Sequence, residues 1–320
     1  MRKPMAGILL VVLLSILIMI SGNTRYLAVP AVAIPTATNQ MEPERDPVLR
    51  QRNFGSELRE ETRGGAGLRV MTYNIHYGTG VSGKLDLENI ATTIRAVDPD
   101  IIALQEVDCN YGKRSEYQDQ PVLLADYLGM HYVYGESLKV QHFLPGRGSG
   151  YYGNMVLSRY PIVDSELVRL PTVWGAEPRT ALKAIIAAPQ GQIVVWSTHL
   201  GLSQKGRLVQ VNTLLASIDA ERYPSIVLGD FNALPHSPEI RVMASRLEDV
   251  GQLNRNEIGT FYVGHSQPMP RIDYIWLDQS LKAVSYEVIP SEASDHLAVV
   301  ADVVILSKGS QVEIGNGRGE

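Results

Sequence analysis

The chain has 320 residues, 45% of them apolar and 20% charged, with 29 Lys and Arg against 34 Asp and Glu for a formal charge of −5. That composition is globular and excludes a wholly disordered, fibrous or multispanning membrane protein. The acidic balance weakens any reading in which nucleic acid is gripped mainly through its phosphates, and a single cysteine, Cys109, excludes an internal disulfide and a Cys-based zinc cluster.

In chain order, Arg2 and Lys3 precede an uncharged run at 6–20 that is apolar or small apart from Ser15. A short basic end before such a run is the pattern of a secretory signal, and extended through Ser21 and Gly22 it approaches a membrane anchor. Residues 1–22 are therefore read as a signal peptide or an N-terminal membrane anchor. The basic end stays in the cytoplasm, so the rest is expected to be exported and extracytoplasmic, either secreted or anchored. Residues 23–66 carry Pro30, Pro35, Pro43 and Pro47 and a charge-dense stretch, and read as a flexible tether. Residues 67–307 form one continuous folded region, and 308–320 read as a disordered tail. The folded region alone holds 19 basic and 26 acidic side chains, a net of −7, so the tether hides part of the acidity.

Within that region, apolar runs bounded by Gly, Pro, Asp or Asn predict buried strands at Leu68–Tyr73, Ile101–Leu104, Asn154–Leu157, Ile193–Ser197, Ile226–Leu228, Ile272–Leu277 and Leu297–Ile305. Helical spacing puts Leu87, Ile90, Ile94 and Val97 on one face. It does the same for Leu208, Val211, Leu215 and Ile218, after Ser203 as N-cap, and Gly129 is placed to end a helix near Val122–Leu128. Between about 153 and 199 strands follow one another without room for helices, which predicts antiparallel hairpins beside crossover units. A mixed-sheet α/β domain accommodates both.

Polar residues recur where these strands stop: Asn74 and His76, Glu106, His199, Asp230 and Asn232, Asp273, and Asp295 with His296. Such residues converge on one rim of a sheet, where α/β proteins place their sites. Asn74, Glu106 and Asp295 offer hard oxygen ligands suited to Mg²⁺, Mn²⁺ or Ca²⁺. His199 and His296 are able to donate to a phosphoryl oxygen or move a proton near neutral pH. Asp230 and Asn232 are suited to orient a water and stabilise transition-state charge. Singly, each has a structural explanation as a cap, a turn residue or a satisfied histidine; together they form a constellation.

The ordered set YNIHYG (73–78), LQEVD (104–108), GNMVLSRYPI (153–162), STHLGLS (197–203), LGDFNALP (228–235), RIDYIW (271–276) and SDHLAVV (294–300) resembles the endonuclease/exonuclease/phosphatase superfamily. That superfamily includes pancreatic-type deoxyribonucleases, apurinic-site endonucleases, inositol polyphosphate 5-phosphatases and neutral sphingomyelinases. The resemblance spans nearly all of 67–307. It implies a four-layer α/β sandwich, two packed mixed β-sheets flanked by helices, with the site at one end. It implies that Asn74, Glu106 and Asp295 hold Mg²⁺ or Mn²⁺. It further implies that His199 contacts the scissile phosphate, that Asp230 and Asn232 orient the nucleophile, that Asp273 pairs with His296, and that His296 is the general base or a phosphate ligand. Arg179, in EPRTAL, resembles a basic phosphate contact. His76 stands where the apurinic-site enzymes have an acidic residue, and His199 where they carry a tyrosine nearby, so the chain departs from abasic-site repair enzymes; His76 is placed with Arg179 on the substrate side. GNMVLSRYPI and THLGLS are closer to bacterial-type members and to the C-terminal domain of a GPI-anchor lipid-remodelling protein.

The expected activity is thus hydrolysis of a phosphodiester or phosphomonoester outside the cytoplasm by a divalent-metal-dependent phosphoesterase, acting on a phospholipid head group or a small phosphodiester. A secreted or membrane-tethered nuclease is the alternative, and a non-catalytic binding module on the same scaffold the second. The expected partners are a phosphate-ester substrate and a membrane surface, with nucleic acid not favoured and the chain a monomer. The loop Val140–Gly153, with Phe143, Tyr151 and Tyr152, bears on the choice. Exposed Phe143 and Leu144 would fit a lipid hydrolase, and Arg147 lining a groove would fit a nuclease.

Overall fold

The computed structural model describes residues 48–53, 67–142, 148–173, 175–253, 258–263 and 270–306. The N-terminal apolar segment, most of the tether, Phe143, Leu144, Arg147 and the tail lie outside the described residues. No helix among the described residues is long and apolar enough to cross a membrane.

Two mixed sheets carry the fold. The first holds eight strands: β1 (Leu49–Arg52), β2 (Gly67–Asn74), β3 (Ile101–Cys109), β4 (His131–Gln141), β5 (Ser149–Ser158), β12 (Leu281–Ala283), β13 (Glu287–Ile289) and β14 (Ala298–Ile305). Its order is β1-β4-β5-β3-β2-β14-β12, with β13 also on β14. The second holds six: β6 (Ile162–Leu170), β7 (Arg179–Ala188), β8 (Gly191–His199), β9 (Ser225–Asp230), β10 (Glu248–Asp249) and β11 (Asp273–Leu277), in the order β10-β11-β9-β8-β7-β6. Among the described residues, only β2–β3 and β8–β9 pair in parallel. Each of those pairs is joined by a crossover through a helix, α1 (Leu87–Val97) and α3 (Gln204–Ile218) respectively, because a parallel pair cannot be closed by a tight turn.

Alternation along the strands sorts side chains into layers. Val70, Ala103 and Val156 of the first sheet meet Leu182, Val195 and Ile275 of the second in the central core. The opposite faces are covered by helices. Ile90 and Ile94 of α1 and Leu124 of α2 (Gln120–Leu128) pack with Met71, Tyr73 and Leu104. Val211 and Leu214 of α3 and Ile240 and Met243 of α4 (Pro238–Ala244) pack with Trp196, Phe231 and Trp276. The layers therefore run helix, sheet, sheet, helix. Each fully buried aliphatic side chain contributes about 1.5–3 kcal/mol, so these faces outweigh the roughly 1 kcal/mol of a helix cap such as Asp86, which accepts from Asn89 N at 3.0 Å. Ser203 caps α3 through Gly206 N, and Gly129 ends α2 at φ 62°, both where the spacing puts them.

Several elements differ from the sequence reading, among them the short strands β10, β12 and β13, which it does not predict. Leu49–Arg52, read as part of the tether, is an edge strand on β4. It is held by Arg50 to Asp119 at 3.0 Å and Arg52 to Asp126 at 2.6 Å, ion pairs that local composition does not reveal. The strand β4 has no sequence counterpart because Glu136, Ser137 and Lys139 interrupt its apolar run. It bulges between Glu136 and Leu138, opposite Gly153, where a Cβ would run into the Gly135 carbonyl. The helix α4 is short and opens on Pro238.

The helices α3 and α4 are joined by a buried ion pair, Arg207 Nε to Glu239 Oε1 at 2.6 Å, with side chains 6% and 0% exposed. Arg207→Ala leaves Glu239 buried and unpaired, and is expected to cost about 3–5 kcal/mol in denaturant unfolding. Arg246→Ala, which opens only the exposed pair to Asp219, is expected to cost under about 1 kcal/mol in the same measurement.

Candidate active site

The topology brings the ends of the parallel strands β2, β3, β8 and β9 to one rim, and the antiparallel partners β7, β11 and β14 begin there. Asn74, Glu106, His199 and Asp230 lie at or near strand ends on that rim, and Arg179, Asp273, Asp295 and His296 at or before strand starts. Register places His199 opposite Asp230 and Asp273 opposite Asp230. Three of the site residues have left-handed backbone: His76 at φ 45°, Glu106 at φ 59° and Asn232 at φ 49°. Such conformations are costly for residues with a Cβ and cluster at functional sites. Glu106 reaches the rim because the β3–β5 register shifts between Leu104 and Val107.

At the centre is a buried acid–histidine group. Asp273 Oδ2 holds His296 Nδ1 at 2.9 Å and accepts from Thr260 Oγ1 at 2.6 Å. The same Thr260 oxygen accepts from Ile272 N at 3.0 Å and Asp273 N at 3.1 Å, which fixes the carboxylate against its own strand. The other ring nitrogen of His296 lies 3.7 Å from Asp230 Oδ2, and the ring of Phe261 packs on it at 4.8 Å between centroids. Asp230 Oδ1 accepts from Asn232 N at 2.8 Å, while Oδ2 lies 3.3 Å from His199 Nε2. The amide Nδ2 of Asn232 contacts His199 Nε2 at 2.9 Å and donates to Leu200 O at 3.0 Å. In this arrangement Asn232 positions His199 rather than reaching for a water itself. The Nδ1 of His199 is buried and makes no hydrogen bond among the described residues.

Asn74 links this group to Glu106. Its Nδ2 donates to Asp230 Oδ2 at 3.1 Å and Glu106 Oε1 at 3.2 Å, and lies 3.4 Å from His296 Nε2, while its Oδ1 accepts from His76 N at 3.0 Å. His76 Nδ1 lies 3.1 Å from Thr79 O and 3.6 Å from Asp295 Oδ1. Asp295 and His76, 32% and 29% exposed, stand at the mouth; Asn74, His199, Asp230, Asp273 and His296 are buried. Ser294 locks the mouth to β2, donating to Asn74 O at 2.8 Å and accepting from His296 N at 3.1 Å. Arg179 is buried, pairs with Glu177 at 2.8 Å, and acts on His199 by its charge rather than by a hydrogen bond.

Burial and charge set the protonation states. Burial lowers the pKa of His199 well below the usual imidazole value, and the positive charges of Arg179 and His296 add to that, so His199 is neutral at pH 7. For His296 burial acts downward, but the charges of Asp273 and Asp230 outweigh it and push the group up to about 10. Burial first, then the charge of Asp273, raises Asp230 to about 7. The site thus holds an imidazolium beside a carboxyl that titrates near neutrality, and such a carboxyl is matched to accept a proton at physiological pH.

A divalent ion fits this donor set. Asp230, Asp273 and His296 bring ligand-type atoms within 4.8 Å of one another, but a charged His296 has no lone pair to offer, so the oxygens are the metal donors. Asp273 Oδ1 is buried and has no hydrogen-bond partner among the described residues. Carboxylate oxygens from Glu106 and Asp230 already converge on one point, filled by the Asn74 amide nitrogen. Turning that amide would present its oxygen instead, giving a hard-oxygen set of Asn74 and Glu106 with Asp295 at the mouth, next to Asp230.

The expected residues all reach this rim. Tyr152, which the sequence places in the loop that bears on substrate choice, is among the residues at the rim. Thr260 and Ser294 are not singled out by the sequence: Ser294 lies inside the SDH motif, and Thr260 sits in loop sequence without spacing that marks it. Tyr152 belongs here because it is buried beside Arg179 and Glu106.

The sequence pattern of the Endonuclease/Exonuclease/phosphatase family matches residues 71–296. The uncharacterized protein YbhP of Escherichia coli K12 is 29% identical over 256 residues, covering 73% of this chain and 95% of that protein. A crystal structure of an endonuclease/exonuclease/phosphatase from Beutenbergia cavernae matches with TM-score 0.65 and 29% identity, over 76% of this chain and 72% of that one. A mannosyl-6-phosphatase of Bacteroides thetaiotaomicron shares the fold at TM-score 0.58 and 18% identity, over 74% of this chain and 100% of that one.

Asp230 has a linkage consequence. Its folded pKa of about 7 lies above the unfolded value of 3.8, so the folded state binds more protons between those values and its stability falls as pH rises through that window. A divalent ion competes with that proton. Mn²⁺ or Mg²⁺ is therefore expected to raise the Tm of EDTA-stripped protein by several degrees at pH 8 and by less than about one degree at pH 5, read by differential scanning fluorimetry.

Proposed function

Because the chain belongs to the Endonuclease/Exonuclease/phosphatase family, whose members hydrolyse phosphoester bonds, we propose that it is a divalent-metal-dependent phosphoesterase acting outside the cytoplasm. Its substrate on this reading is a phospholipid head group or a small phosphate ester. The observation that carries the reading is the buried Asp273–His296–Asp230 group with neutral His199 alongside.

The residues divide the work as follows. Asp230, titrating near 7, takes a proton from a water held against it. Asp273 keeps His296 charged and oriented, so its Nε2 is ready to neutralise a phosphoryl oxygen or protonate the leaving alcohol. His199, whose Nε2 lies 3.3 Å from Asp230 Oδ2 and 2.9 Å from Asn232 Nδ2, is placed beside the phosphate. Arg179 adds positive charge beside it. Asn74, Glu106 and Asp295 would hold Mg²⁺ or Mn²⁺, which when bound supplies charge neutralisation at the phosphoryl group. Site residues placed on seven separate stretches of chain need a rigid support, and two packed sheets provide one.

Three features support the location and substrate class. The basic end followed by an apolar run at 6–20 has the form of an export signal. The acidity of the folded region disfavours a polyanionic duplex, although part of it is the site itself. The fold neighbour named as a mannosyl-6-phosphatase acts on a small phosphate ester.

Purified protein is expected to hydrolyse a generic aryl phosphodiester or monoester with Mg²⁺ or Mn²⁺ and to stop in excess EDTA. His296→Ala and Asp230→Ala are expected to lower kcat by about 10²–10⁴-fold with an unchanged circular dichroism spectrum. Full activity in EDTA, or near wild-type rates in both variants, sinks the assignment. For location, a tagged chain is expected in the periplasmic, secreted or membrane fraction, and recovery wholly in soluble cytoplasm counts against export.

A further inference from the structure

Beside the catalytic group the rim carries a second built cluster around Arg114. Its guanidinium is bonded at two points to Asp108, Nε to Oδ2 at 2.9 Å and Nη2 to Oδ1 at 2.7 Å, and the Asp108 side chain is fully buried. The plane of the guanidinium is flanked by tyrosines, 4.1 Å from the Tyr111 ring, 4.3 Å from Tyr77 and 5.2 Å from Tyr152. Gln120, itself fully buried, ties the parts together: its Oε1 accepts from Asp108 N at 2.9 Å and its Nε2 donates to Tyr77 O at 2.7 Å. Gly150 lets β5 press against the backbone of Asn110 and Tyr111, where a Cβ would collide. The cluster is therefore rigid.

It is also continuous with the site. Tyr77 follows His76, and their rings lie 4.3 Å apart. Asp108 is two residues beyond Glu106, and Tyr152 lies beside Arg179. The side chain of Arg114 is 35% exposed, and its Nη1 makes no hydrogen bond among the described residues. With aromatic rings against the guanidinium and one edge taken by Asp108, what remains open is a donor edge next to phenol groups.

Taking the phosphoesterase reading as its basis, we propose that Arg114, with Tyr77 and Tyr111, is the subsite for the alcohol portion of the substrate, and that this portion is a polyol: a sugar, a cyclitol or glycerol. The charge balance selects this class. Asp108 is bonded at both carboxylate oxygens to Arg114, so a second phosphate would find no unpaired positive charge in this cluster. A neutral hydroxyl accepts from the free Nη1 without needing one, and the phenols both donate and accept. Tyrosine rings additionally offer apolar faces to the C–H bonds of a polyol.

The test uses the full-length, Mg²⁺-supplemented enzyme and two matched pairs of esters. These are myo-inositol 1-phosphate against ethyl phosphate, and glycerophosphoinositol against bis(p-nitrophenyl) phosphate. Arg114→Lys keeps a cation beside Asp108 and so protects the fold, but loses the planar donor edge. It is expected to lower the kcat/KM ratio of polyol to hydroxyl-free ester by about 10-fold, mainly through KM, as loss of a hydrogen bond to a substrate hydroxyl does. An unchanged ratio, with both esters slowed equally, overturns the subsite and leaves Arg114 a structural residue. Calorimetric binding of myo-inositol 1-phosphate separates this from the catalytic assignment. If wild-type enzyme hydrolyses none of the esters yet binds this ligand more tightly than ethyl phosphate, and Arg114→Lys removes the difference, the subsite stands and the phosphoesterase reading fails. Equal binding of the two ligands by wild type overturns the polyol assignment.

Discussion

The structure depends on placing two carboxylates, Asp230 and Asp273, out of water around one imidazole. Their side chains are 2% and 1% exposed, and that of His296 between them 6%. Burying like charges side by side is unfavourable unless each is bonded, and here the bonds come from sequence neighbours and from distant segments together. Thr260 fixes Asp273, Asn232 and Asn74 fix Asp230, and Ser294 fixes the backbone of His296. Burial and the neighbouring Asp273 raise the pKa of Asp230, while the two carboxylates keep His296 charged.

The sandwich supplies the support for that arrangement. Its central layer is almost wholly aliphatic, and the helix-facing layers add large aromatics such as Trp196 and Trp276. Polar side chains concentrate at the rim because strands of both directions end there, and a strand end can turn a side chain toward solvent without breaking a ladder. The left-handed backbone at His76, Glu106 and Asn232 belongs to the same region. Conformational strain, buried charge and the register shift in β3 therefore coincide at one place, and the well-packed layers behind it offset their cost. The Arg114 cluster extends that rim, and its partners Asp108 and Gln120 bind the substrate-side loop to the first sheet and α2.

Much of this was legible from residue order. Short Val- and Ile-rich runs mark the strands that face apolar layers on both sides, and the helical spacing of Leu87, Ile90 and Ile94 marks a covering helix. The helix starts and stops at Ser203 and Gly129 follow from local backbone chemistry. What local pattern misses is structure held by distant partners. The edge strand β1 reads as a charged tether until Arg50 finds Asp119 and Arg52 finds Asp126, about seventy residues on. The strand β4 reads as loop because its polar residues are satisfied across the sheet interface, as Ser137 is by Thr180 at 2.7 Å.

The same division holds for the site. The sequence by itself determined which chemical groups are present: carboxylates, amides and histidines at strand ends, in the order LQE, GDFN and SDH, which defines the family and the class of bond cleaved. Residue type is chemistry that a chain carries whether or not it is folded. Only the tertiary structure decided their roles relative to one another: that Asn232 serves His199, that Thr260 holds Asp273, that Asn74 bridges Glu106 to Asp230, and that Arg114 faces the site between tyrosines. Those relations depend on distances between residues as much as 222 positions apart, as Asn74 and His296 are. Protonation states depend further on burial, and both come into being only when the two sheets pack.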